Sequence, residues 1–343
     1  MRTSLIATTL SLSITLLSGC NEWFNPEKAV FEKYNQRLAN VLDVSESALE
    51  TSPAITIPDK RELFQELPRL SLGLLESYQL RQCGLFNLIA EKNSQLGKVQ
   101  DAFYDFDYQT SLLRTLNGCL SEYPLSDEES TKLSGLYDQK WHHLTVHLDN
   151  MLLTSDAMRK QLTGSAWLPL ESKDQVAHVR DAFFVLNAMY QTPYRTLSRL
   201  PETTIVNYQE ELEKTRLIGR LYYTLIDVTH WLNHTTQMLE ANQDKIICGA
   251  NRDTTQFRYL RNVFQSIYVA EVQPYMAFVD GTYQQLEGGI NLVERRMAAH
   301  GASYGIEEAH EQFRRETLEH VQFWKGLFKR CGVAVGNHLR DNT

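Results

Sequence analysis

The chain has 343 residues, with 34 Lys and Arg against 42 Asp and Glu, a formal net charge of −8. That balance argues against nucleic acid or anionic lipid as a ligand, since both demand a basic face. With 43% apolar and 10% aromatic residues the chain builds a real core, and nine prolines and seventeen glycines are few for an all-β protein of this length.

Arg2 supplies a positive start and Leu5 to Leu17 an apolar run, too short to span a membrane but suited to a cleaved leader. Leu17-Ser18-Gly19-Cys20 ends that run with a leucine three residues before a cysteine, which resembles a bacterial lipobox. The resemblance implies removal of residues 1–19, thioether-linked diacylglycerol on Cys20 and an N-acyl chain such as palmitate. Several acyl chains anchor stably where one binds marginally. Asn21 in place of an aspartate points to the outer membrane, with the protein facing the periplasm. Loss of Arg2 leaves 33 basic against 42 acidic residues, a mature charge of −9.

A tether spans residues 20–25, and Pro26-Glu27-Lys28 opens a helix with apolar residues at Val30, Tyr34, Leu38 and Val41. Ser45 to Pro58 reads as a linker, and Asp59 starts a short helix limited by Pro68. Leu72 to Glu91 reads as one helix, followed by a turn at Asn93–Gly97. Leu112, Leu113, Leu116 and Leu120 mark the next helix, ended by Pro124. Ser126 with Asp127, Glu128 and Glu129 predicts an N-cap with acids in the first turn, opening a helix to about Leu153.

Thr163 to Pro169 is the clearest mid-chain loop, and Ser172 is the expected cap of the next helix. A long helical pattern runs from Ile205 to about Asn242, and a loop at Gln243–Asp253 carries Cys248. Thr254 starts another helix, Pro274 kinks or divides it, Gly288-Gly289 breaks the helical pattern beyond the proline, and Ile306 to Arg330 closes the chain. No strand alternation or fixed repeat is present. The expectation is an all-α multi-helix bundle of roughly eight to ten helices, a single helical domain over residues 26–343 with a division into two packed halves, if any, near 163–171.

Four cysteines lie beyond Cys20: Cys83, Cys119, Cys248 and Cys331. An oxidising compartment favours two disulfides, and four cysteines allow three pairings. We favour Cys83–Cys119 and Cys248–Cys331, one staple per half. A straight hairpin between Cys83 and Cys119 would turn at Asp101, whereas the turn signals centre on Gln95. The offset, about 12 residues or ~18 Å of helix, exceeds the ~7 Å reach of a bridge. The pairing therefore requires an irregular connection running past Asp101.

Two His-x-x-x-His spacings, His143/His147 and His230/His234, each place two imidazoles on one helix face, as a zinc or copper site needs. Asp227, one turn before His230, would serve as ligand or partner. A metal-binding protein or metal-dependent enzyme is thus the alternative reading, although no other cofactor is expected. Glu307-x-x-His310 is half of a diiron motif and has no second copy. The serine-hydrolase elbow, the Ser-x-x-Lys pair and the Walker loop are missing from the sequence. Arg252, Arg258 and Arg261 interleave with Phe257, Tyr259 and Phe264 as an amphipathic helix, and Tyr222, Tyr223 and Trp231 read as core.

Arg81-Gln82-Cys83, Glu91-Lys92-Asn93-Ser94 with Leu96-Gly97, Leu260-Arg261-Asn262-Val263-Phe264, Val272-Gln273-Pro274-Tyr275, and His320-Val321-x-x-Trp324 with Arg330-Cys331-Gly332 resemble the domain-of-unknown-function family 3080, predicted proteobacterial lipoproteins. The resemblance implies an envelope lipoprotein and carries no activity. Within these motifs Gly97 is expected at positive φ, and Arg81, Glu91, Asn93 and His320 are the expected polar cluster, provided the two ends of the chain meet. The functional expectation is a non-enzymatic, lipid-anchored helical module, held to the membrane through Cys20, that binds an envelope protein or a cell-wall component.

Overall fold

The structure is a computed structural model that describes residues 25–45, 49–68, 74–249 and 254–333. The leader, Cys20 and residues 21–24 of the tether lie outside the described residues. Among the described residues there is no strand, only an isolated bridge between Ile55 and Gly164. The described residues form twelve helices, slightly more than expected, besides two four-residue turns of helix. The nine long ones are α1 (Pro26–Leu42), α2 (Leu85–Asn93), α3 (Ala102–Glu122), α4 (Asp127–Thr154), α5 (Gln175–Tyr190), α6 (Leu217–Ala241), α7 (Thr255–Val263), α8 (Gln273–Ala299) and α9 (Ile306–Arg330). No described helix is long and apolar enough to cross a membrane.

The chain divides into two compact units. Among the described residues the first combines 25–45, 237–249, 254–275 and 326–333, and the second combines 49–68, 74–236 and 276–325.

In the first unit, Asn25 caps α1 by accepting from the Lys28 N–H at 3.0 Å. Phe31, Tyr34, Leu38 and Leu42 repeat at helical spacing and are buried. They meet the segment around α7, where Tyr34 packs on Tyr268 with ring centroids 5.6 Å apart and Phe31 packs edge-on to Tyr275 at 6.1 Å. Thr254 caps α7 as expected, accepting from the Phe257 N–H. From Phe264 to Val272 the helix widens into π geometry before α8 begins. Pro274 therefore neither ends nor divides the helix. It falls where the hydrogen-bond register returns to α spacing, where a missing N–H removes little. Cys248 and Cys331 are bonded, with Cα atoms 5.0 Å apart.

In the second unit, α3 and α4 pack against each other along much of their length. Ser126 and Glu129 make the full capping box at the start of α4. The segment read as one helix over 72–91 is broken instead at Gly84, whose φ of +82° ends the 3-10 turn Arg81–Cys83 and opens α2. Cys83 and Cys119 are bonded with Cα atoms 5.3 Å apart. The irregular connection this pairing requires is present: Gln95–Lys98 forms one turn of helix, and Asp101 then caps α3. Gly97 is not at positive φ. A Cβ there would strike the carbonyl groups of Glu91 and Lys92, so the glycine serves close backbone approach.

The 163–171 loop lies inside the second unit, not at a division between units. A Cβ on Gly164 would lie 2.8 Å from the Gly219 carbonyl carbon, so two glycines bring this loop onto the backbone of α6. Trp167 Nε1 donates to Asp227 at 2.8 Å, and the Leu168 N–H donates to Thr224 at 2.7 Å. Ser172 is no helix cap; its hydroxyl donates to the Pro169 carbonyl at 2.6 Å. The pattern from Ile205 to Asn242 is interrupted at Arg216, φ 47°, where the Gln161 side chain accepts from the first N–H groups of α6. Gly288-Gly289 does not break α8; Gly289 makes room for the Phe183 ring. Asp149, almost fully buried, accepts from the Tyr190 hydroxyl at 2.7 Å and from Arg296 through both Nε and a terminal nitrogen.

Candidate functional site

The first unit carries a groove of about 730 Å³ between α1 and α7. Lys33, Arg37 and Asn40 line one wall, and Gln256, Tyr259 and Asn262 the other. The helical period explains the arrangement. On α1 these residues fall opposite the Phe31–Tyr34–Leu38 stripe; on α7, Tyr259 lies opposite the buried Phe257 and Leu260. Lys33 pairs with Glu271 at 2.7 Å, and Gln256 donates to the Val41 carbonyl at 3.2 Å, which joins the two walls. Arg37 is exposed, and Tyr259 presents its ring with 56% of its surface open. The groove therefore offers an aromatic face, amides on both sides and a guanidinium.

The second unit holds a Ser–Asp–His constellation that sequence reasoning missed, because Ser52 sits in a linker 175 residues from Asp227. Ser52 Oγ donates to Asp227 at 2.5 Å, and His230 Nδ1 lies 3.1 Å from the same oxygen. In a nucleophilic triad the imidazole lies between hydroxyl and carboxylate. Here the hydroxyl lies between carboxylate and imidazole, so its proton goes to Asp227 and His230 donates toward it. The arrangement fastens the 49–58 segment to α6 and does not activate the serine.

Two of the histidines considered for a metal, His147 and His230, are engaged by other side chains. His147 Nδ1 lies 2.9 Å from Asp105, which also holds Lys92 at 2.8 Å. His143, four residues earlier on α4, has its pKa lowered by burial and then by the nearby Lys140. Two ammonium groups beside this pair oppose a cation. His230 is engaged by Ser52, and His234 is half-buried further along α6. Among the described residues no group of three or more His, Cys, Asp and Glu side chains converges to hold a metal. His310 of the half motif lies 2.7 Å from Asp280 and stacks on Tyr283 with centroids 3.6 Å apart.

The members of the expected polar cluster differ in burial. Arg81, Glu91 and Asn93 are exposed or only partly covered, Arg81 lies over the Tyr78 ring and Asn93 donates to the Ile89 carbonyl. His320 is fully buried, and burial lowers its pKa to about 3. Its Nε2 accepts from Trp324 Nε1 at 3.1 Å, which leaves the proton on Nδ1 to donate to Thr236 at 2.8 Å; Thr236 passes its own to the Leu232 carbonyl. His320 thus belongs to the core.

A family model described as protein of unknown function (DUF3080) matches residues 31–335, so the chain belongs to that family. No curated protein and no solved structure matches the chain.

Proposed function

We propose that this member of the DUF3080 family is a lipid-anchored, periplasm-facing module that binds a cell-wall glycan in the groove between α1 and α7. The groove carries the reading. An exposed Tyr259 ring suits the flat face of a sugar, the amides of Asn40, Gln256 and Asn262 suit hydroxyl and acetamido groups, and Arg37 suits a carboxylate. The anchor reading puts this groove close to the membrane, because Cys20 precedes the α1 cap at Asn25 by five residues, a reach of about 18 Å when extended. The protein would then hold wall polymer near the outer membrane without chemistry.

The test is sedimentation of acylated protein with purified wall sacculi in mild detergent. Tyr259→Ala and Arg37→Ala should each weaken binding roughly tenfold, and equal sedimentation of both variants with the parent would sink the groove reading. The anchor is tested separately: Cys20→Ser should abolish incorporation of labelled palmitate and leave the leader uncleaved.

A further inference from the structure

The second unit is strongly acidic, with 23 Lys and Arg against 32 Asp and Glu. One spot on it reverses the sign. Lys140, His143 and His147 succeed one another at spacings of three and four and so share a face of α4. Across from them α3 supplies Asp105 and Gln109, and α2 supplies Lys92. Lys92 and His147 contact Asp105 directly, and Lys140 and His143 continue the same face of α4.

That carboxylate is already spoken for. Burial raises the Asp105 pKa, but the hydrogen bonds from His147 and Lys92 outweigh it and hold the group ionised. Lys140 is different. It is half-buried, and its hydrogen-bond partner is the neutral amide of Gln109 at 3.1 Å. Burial and the Lys92 charge both disfavour its ammonium, while Asp105 opposes them from a distance. Lys140 thus shares the Asp105 charge with Lys92 and His147, which contact that carboxylate directly, and an added anion would stabilise the half-buried ammonium further.

We propose that Lys140, His143, His147 and Lys92 form a binding site for a phosphate group, as free phosphate or a phosphomonoester. A phosphate dianion answers the charge of Lys140, and its several oxygens match donors that arrive from two helices, whereas a carboxylate offers two oxygens and one charge. Asp105 neutralises Lys92 and orients His147, and Gln109 holds Lys140 in place. This site is independent of the groove in the first unit.

Isothermal titration and thermal melting of the full acylated protein in detergent, with inorganic phosphate against chloride at equal ionic strength, provide the test. Phosphate should raise the melting temperature, and Lys140→Met should weaken its binding at least tenfold. His143→Gln, at an imidazole with no hydrogen-bond partner among the described residues, should retain the fold and weaken binding several-fold, so the test survives if the lysine variant fails to fold. Glucose 1-phosphate binding more tightly than phosphate would identify a phosphomonoester as the source, and the reverse order would identify the free ion. No stabilisation beyond the chloride control, or unchanged affinity in both variants, would overturn the proposal.

Discussion

The hydroxyl of Ser52 gives its proton to Asp227 across 2.5 Å, so the serine is a donor to a buried carboxylate and not a nucleophile. Asp227 receives a second bond from Trp167, at 2.8 Å, and the pair of bonds neutralises most of the cost of burying the charge. Ser52→Ala should lower stability by about 1–3 kcal/mol, measured by urea unfolding. The parent protein should also resist labelling by fluorophosphonate serine probes; stoichiometric labelling at Ser52 would contradict the hydrogen-bond direction.

Stability should fall as the solution is acidified, and His320 should carry part of that fall. The native imidazole titrates at about 3, while the unfolded chain's titrates near the ordinary value of 6.5. Below that upper value the unfolded chain binds the proton first, so stability rises with pH between the two values, by about 1.4 kcal/mol per unit for this group. His320→Gln should be less stable at neutral pH yet show a flatter pH dependence down to about pH 4. An unchanged slope would show that His320 is not the titrating group.

Gly84 and Gly97 should respond to alanine for different reasons. Gly97→Ala forces a methyl against the Glu91 and Lys92 carbonyl groups and should destabilise by about 1–3 kcal/mol. Gly84→Ala meets no atom but must adopt φ +82°, which should cost about 1 kcal/mol. Denaturant midpoints for the two variants check the order.

The disulfides should differ in weight. Cys83–Cys119 closes 36 residues of sequence and Cys248–Cys331 closes 83. On chain entropy the longer loop contributes about 0.7 kcal/mol more than the shorter. Paired Cys→Ser replacements, each compared by chemical denaturation, measure the difference, and a larger loss from the 83/119 pair would reverse the expectation.

Sequence reading succeeded where the signal is local. Pro26, Ser126 and Thr254 mark helix starts by chemistry within four residues, and the structure places caps or first turns there. The apolar stripes of α1 and α9 are periodic over several turns, so all-helical architecture was legible. What failed depends on partners far along the chain. Trp167 and Leu168 look like part of a boundary loop because Asp227 and Thr224, which hold them, lie 60 and 56 residues away. Arg216 interrupts a helix because the side chain of Gln161 accepts from the next turn, a cap that no neighbouring residue announces. His320 resembles a polar site residue by type, and only its enclosure with Thr236 and Trp324 shows it to be core. The groove was equally hidden, since Arg37 and Tyr259 come together only through helix packing.

The first unit draws its walls from opposite ends of the polypeptide: Lys33 meets Glu271 across 238 positions, and Gln256 meets Val41 across 215. During synthesis α1 emerges before the partners that cover Phe31, Tyr34 and Leu38. Its oily stripe must stay open to solvent, or to a holding factor, until more than two hundred further residues have been made. The separations in the second unit are somewhat shorter, 175 positions between Ser52 and Asp227 and 147 between Asp149 and Arg296. Assembly of the protein therefore ends where its sequence begins, and the slowest stage of maturation should be closure of α1 against the late-arriving helices.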